Sequence, residues 1–245
     1  MLISPGLTHG PSHRNIMASL PSLLAWYDSV LSQPVIQEGN KIDSIYDLSG
    51  NGHHLRVRTE AGKINPTYDQ NVFGSLPGIG NSLQGQKVEL RGDVDIRPYT
   101  PEQQTWFFVY MPYVLTSYRI LSLGSNYETP MDHSSGFAWG RDQGNGFPKT
   151  YLSLLGGAVC SCRFQNANQL FIRVNGMNAP NPIDPKDTYF STSNVRNIHL
   201  FTGYNLNAVQ GAFGSVAFCM EALPLTLIEK VERYLSQRFS IPLNV

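Results

Sequence analysis

Thr105-Trp106-Phe107-Phe108-Val109-Tyr110-Met111 is the stretch on which the fold class turns. Successive side chains of an extended chain point to opposite faces, so a run that is apolar at every position needs cover on both sides. Aromatic and β-branched residues favour that extended form. The run therefore reads as the central strand of a sheet buried on both faces. Moving outward, Ala158–Phe164 alternates: Cys160, Cys162 and Phe164 face one way, and Val159, Ser161 and Arg163 the other. Arg119–Leu123, Tyr151–Leu155, Leu170–Val174, Asn197–Thr202 and Phe213–Met220 are further short strand-like runs, separated by clusters of Gly, Asn, Pro and Asp. Many short strands at this spacing describe a sandwich.

One helix is expected, at about 226–239. Thr226 and Glu229 spell a capping box, Ile228, Val231, Leu235 and Phe239 recur near the helical period, and Pro242 follows as a stop. Residues 1–22 hold Pro5, Gly6, Gly10, Pro11 and Pro21 without apolar periodicity, so they read as an extended N-terminal arm. Such an arm frays unless a partner orders it, and a neighbouring subunit is the natural candidate. No repeat or linker divides residues 23–245, which form one domain including the helix.

The chain has 245 residues, with 18 basic and 18 acidic side chains and a formal net charge of zero. That balance removes the long-range attraction that nucleic acid or an anionic membrane exerts, so neither is an expected partner. No basic leader with an apolar core opens the sequence, and no run is apolar enough to cross a membrane as a helix. No Asn-x-Ser/Thr acceptor with a permitted middle residue occurs. The three cysteines, Cys160, Cys162 and Cys219, read as reduced and mostly buried thiols, because two residues on one strand face cannot readily bond each other.

Four segments in order carry a resemblance. They are Leu24-Ala25-Trp26-Tyr27-Asp28; Asp47-Leu48-Ser49-Gly50-Asn51-Gly52-His53-His54; Pro66-Thr67-Tyr68; and Gly211–Phe218 running through Leu223-Pro224-Leu225 into the helix. Together they resemble the LamG-like branch of the concanavalin A-like lectin/glucanase superfamily. The resemblance implies an all-β, two-sheet antiparallel jelly-roll sandwich with a short C-terminal helix. In it Asp47, Ser49, Gly50, Asn51 and Gly52 form a structural turn, with Asp47 and Ser49 bonding nearby amides and the glycines tolerating positive φ. Trp26 is expected to fill the core.

The superfamily includes glucanases, whose carboxylates project from one strand face. Glu89, Asp93 and Asp95 are the acidic cluster on a plausible strand, but Ile96, Arg97 and Pro98 follow where the glucanase pattern needs another Glu. Arg91-Gly92-Asp93 spells a tripeptide known from integrin ligands and reads better as a polar turn. His53 and His54 suit edge packing, and Asp43, Asp47 and Asn51 do not make a calcium loop. The expectation is a chain that catalyses nothing, with no metal and no cofactor. For ligand binding the richest stretch is Ser125–Lys149, with Tyr127, His133, Trp139, Arg141, Asp142 and Asn145 offering a stacking platform and directional hydrogen bonds.

The resemblance extends to modules of phage virion proteins, which implies a structural and adhesive virion subunit, capsid-decorating or tail-associated. Such a subunit is assembled in the host cytoplasm and contacts other virion subunits through the arm. A homo-oligomer and a host-surface glycan are the partners that follow. The alternatives are a glycan-binding module of a bacterial cell-surface or secreted system and, further off, a glycosidase.

Overall fold

A computed structural model of the chain describes residues 16–57, 63–81, 87–95, 103–113, 121–123, 131–132, 137–139, 149–150, 156–166, 169–178, 195–201 and 210–244. The expected run Tyr151–Leu155 lies outside the described residues. The fold is an all-β antiparallel jelly-roll sandwich of two main sheets closed by one C-terminal helix.

The first sheet has eight strands among the described residues. They are β1 (Leu23–Asp28), β6 (Thr67–Phe73), β7 (Leu76–Asn81), β10 (Gln104–Pro112), β15 (Ala158–Asn166), β16 (Gln169–Val174), β17 (Met177–Asn178) and β19 (Gly211–Cys219). Their order is β17-β16-β15-β10-β19-β7-β6, and β1 also pairs with β19. The edge of β19 is shared: Gly211–Phe213 pair with β7, and Ser215–Cys219 pair with β1. The second sheet runs β11-β18-β9-β4-β3-β2. Its strands are β2 (Val35–Ile36), β3 (Ile42–Ile45), β4 (Leu55–Val57), β9 (Leu90–Asp95), β11 (Leu121–Leu123) and β18 (Val195–Leu200). Two small sheets flank these: β12 (Met131–Asp132), β13 (Phe137–Trp139) and β14 (Lys149–Thr150), and the parallel pair β5 (Lys63–Ile64) with β8 (Lys87–Val88).

The central position expected of Trp106–Tyr110 is where β10 lies, between β15 and β19, and its two faces enter two different cores. Trp106, Phe108 and Tyr110 join Cys160, Cys162, Phe164, Val216 and Phe218 against Leu55, Leu90, Val94, Ile198 and Leu200 of the second sheet. Phe107 and Val109 face the other way, with Trp26, Val159, Ala217 and Cys219, under Ile228, Val231, Leu235 and Phe239 of the helix. The eight-stranded sheet is thus a middle layer. Cys219 lies on the opposite face from Cys160 and Cys162, so the sheet itself stands between them.

The helix spans Leu225–Phe239. The expected capping box does not form: Pro224 is the N-cap, no side chain caps the first turn, and Glu229 turns to Arg173 at 3.6 Å instead. Proline fixes φ for a helix start and needs no partner for a missing N–H, so the helix begins one residue ahead of the spelled motif. Two buried charge pairs bind the helix to the eight-stranded sheet. Arg238 donates from Nε and a terminal nitrogen to Asp28 at 3.1 and 2.9 Å. Arg173 Nε donates to both oxygens of Glu232 at 3.0 and 3.1 Å, and the Ser161 hydroxyl adds a third bond at 2.6 Å.

Residues 16–22 are the described part of the arm expected over residues 1–22. A helical turn at residues 16–18 seats Met17 in the core beneath the C-terminal helix, with Leu20 beside it. Two apolar side chains three apart are enough to anchor a single turn, although they are too few to register as a period. Met1–Asn15 lie outside the described residues.

Candidate functional site

The inner face of the second sheet is apolar, and the alternation that makes it so sends polar side chains to the outer face. On β9, Leu90 and Val94 are buried inward, whereas Arg91 and Asp93 point away. Gly92 is one of the inward positions: a Cβ there would lie 2.8 Å from the His54 carbonyl oxygen and 2.9 Å from Leu55 Cδ2. A glycine inside a strand often marks such a close approach. Arg91-Gly92-Asp93 is therefore the middle of a strand, which corrects its reading as a polar turn. Glycine punctuates turns so commonly that it masks the flanking alternation.

Three segments meet on this outer face. Strand register sets Arg56 of β4 directly opposite Arg91 of β9, and Asn197 and His199 of β18 opposite Asp93 and Arg91. The polar turn at 47–54 delivers the rest. Asp47 Oδ1 accepts from the Trp26 and Ser49 amides, both at 2.9 Å, and Oδ2 from the Ser49 hydroxyl at 2.7 Å and the His53 amide at 3.0 Å. Asn51 donates to the Leu23 and Leu24 carbonyls, and Gly50 and Gly52 take φ of 90° and 78°. The carboxylate is consumed by protein donors and holds the turn onto β1. Trp26 is buried in the core beneath the C-terminal helix.

The turn aims His54 outward. The Asp47 amide donates to His54 Nδ1 at 3.1 Å, which in the neutral ring leaves the proton on Nε2. The exposed Tyr46 ring meets His54 edge-on, with centroids 5.1 Å apart. His54, Arg56, Val57, Arg91, Gly92 and Asp93 line an open groove of about 360 Å³, with Tyr46 at its margin. Arg91 is braced by a bond to Asn197 Oδ1 at 2.9 Å and lies 3.6 Å from Asp93, whose side chain is 72% exposed. Next to Arg91, His199 Nδ1 meets Glu89 Oε1 at 2.7 Å in a buried pair. Aromatic surface beside a hydrogen-bonding rim is what stacking on a sugar ring and reading its hydroxyls require.

The described residues that line this groove include none of the binding residues expected from the sequence. Tyr127, His133, Arg141, Asp142 and Asn145 lie outside the described residues; Trp139 ends β13, paired with Met131, and its side chain is also outside them. Sequence reasoning misses Tyr46, His54, Arg56, Arg91 and Asp93 as a set, because a turn joins Tyr46 to His54 but strand register alone brings Arg56 beside Arg91. Among the described residues no three His, Cys, Asp or Glu side chains converge as metal ligands do. No described helix is long and apolar enough to cross a membrane.

No protein-family model matches the chain, and no curated protein matches it in sequence. Solved structures do share its fold. Domain 4 of AbnA, an extracellular arabinanase of glycoside hydrolase family 43 from Geobacillus stearothermophilus solved with arabinotriose, superposes with a TM-score of 0.56 at 12% identity, over 86% of this chain and 98% of that one. An arabinofuranosidase complexed with arabinofuranosyl-α-1,2-xylobiose gives 0.59 at 16% identity, over 80% of this chain and 50% of that one. Trypanosoma rangeli sialidase, in complex with 2,3-difluorosialic acid, gives 0.56 at 10% identity, over 92% of this chain. This chain spans 37% of that sialidase.

These likenesses correct the expectation of a chain that catalyses nothing: glycosidases are among the proteins that carry this fold. The expectation had rested on one spacing along one strand. Glycosidic chemistry needs two carboxyl groups at a set separation in space, from whichever elements supply them, so the interrupted run after Asp95 rules out a single arrangement.

Proposed function

We propose that the chain is a carbohydrate-binding β-sandwich and that the outer groove of the second sheet is its glycan site. The observation that carries this reading is the convergence on one open face of an aromatic margin, Tyr46 with His54, and a polar rim, Arg56, Arg91 and Asp93. Supporting it, the structures that share the fold were solved with arabinotriose, an arabinofuranosyl-xylobiose and a sialic acid derivative. The resemblance to modules of phage virion proteins supports a displayed, adhesive setting, in which the N-terminal arm contacts neighbouring subunits and the groove meets host-surface glycan.

Binding to a panel of neutral and acidic oligosaccharides tests the reading. Tyr46→Ala should weaken the best ligand about fivefold to tenfold, the worth of one aromatic contact, without shifting the thermal midpoint. A protein that binds no member of the panel, or binds one equally well without the Tyr46 ring, overturns it.

Hydrolysis is the second reading, favoured by the glycosidases among the fold's carriers. Asp93 is the carboxylate that the described residues of the groove present. Released reducing sugar that vanishes in Asp93→Asn would establish it.

A further inference from the structure

The groove is unevenly charged, and the imbalance narrows its ligand. Arg56 and Arg91 are register partners on adjacent antiparallel strands. Directly opposed residues hold their Cβ atoms roughly 4.5–5.5 Å apart, and like charges there repel. Arg91 has Asn197 and the exposed Asp93 beside it, whereas Arg56 has no ion-pair partner among the described residues. Among the described residues, one exposed aspartate therefore faces two guanidinium groups, and the remaining titratable residue of the lining is His54. Behind Arg91, Glu89 is bonded to His199. Retaining two opposed arginines on a ligand-sized surface costs stability, and an anion lying between them reverses that cost. Guanidinium groups match carboxylate oxygens in geometry as well as charge.

We propose that the groove is selective for acidic sugars, with the carboxylate of a sialic or uronic acid residue bridging Arg56 and Arg91 while the ring stacks beside Tyr46 and His54. This rests on the glycan reading above and specifies its ligand class. Arg56 is the selectivity residue: it is exposed, and its removal leaves the Arg91–Asn197 bond intact.

Titration with 3′-sialyllactose, a galacturonic acid trisaccharide and lactose separates the possibilities. At least one of the acidic probes should bind about tenfold or more tightly than lactose, the value of one charge-assisted bidentate contact. That preference should shrink as salt rises, and Arg56→Gln should abolish it without lowering the thermal midpoint. The two acidic probes distinguish a sialic from a uronic source. Lactose bound as well as both acidic probes overturns the acidic selectivity and leaves the glycan reading standing. Failure of all three probes and of the neutral panel sinks both. An acidic preference that survives Arg56→Gln removes the bridging assignment.

Discussion

Asp47 is a single carboxylate holding four donors, three of them backbone amides on two segments. Asp47→Ala leaves the buried Trp26 amide without an acceptor and frees the turn that sets His54. The expected cost is about 2–4 kcal/mol, read as a lower urea midpoint, with Asp47→Asn recovering part of it through its one remaining oxygen acceptor. An unchanged midpoint in the alanine variant would show that the turn is held by its glycines alone. The thiols make a second statement at this scale. Burial pushes the Cys160, Cys162 and Cys219 thiols up from their ordinary range, and burial likewise raises the Tyr27 and Tyr110 hydroxyls. A group raised in the folded state contributes its full stability below its unfolded pKa and loses it as pH climbs toward the folded value. Stability should therefore fall from about pH 9 upward, where unfolded thiols and then phenols begin to ionise. Urea midpoints that stay level between roughly pH 7 and pH 10.5 would contradict this. Thiol reagents without denaturant should find all three cysteines unreactive.

Between elements, the charge pairs under the helix set the terms. Glu232 is buried among Arg173 and Ser161, so Arg173→Leu strands a carboxylate in the core and should cost about 3–5 kcal/mol. The double variant Arg173→Leu, Glu232→Leu removes the stranded charge and should regain most of that loss; a double variant no better than the single would mean the pair specifies the docking itself. Some of this level was legible in the sequence. Trp106–Tyr110 announced its place by being apolar on both faces, and the helix by the spacing from Ile228 to Phe239, because both signals are local. The capping box is not made because Pro224 presets the backbone ahead of the Thr226 motif. The groove was illegible for a different reason: Tyr46 and His54 come together through one turn, but Arg56 meets Arg91 only through the β4–β9 register, which no local pattern encodes.

At the scale of the molecule, topology governs how the sandwich can form. Leu23 lies opposite Cys219, and Arg238 closes on Asp28, so contacts essential to the middle layer join the two ends of the domain. Folds built on such distant pairings refold in about milliseconds to seconds, and stopped-flow refolding from urea should fall in that range. A dominant submillisecond phase that restores native fluorescence would mean that the ends dock early. The shared edge of β19 also has a consequence for the living cell. At roughly 5–20 residues per second, synthesis of the 200 or so residues between β1 and the helix takes about 10–40 s. Throughout that interval β1 has left the ribosome without the strand it pairs with, its tryptophan and tyrosine uncovered. The hazardous moment in the life of this protein is thus its translation, and chaperone occupancy of the nascent chain should persist until β19 emerges.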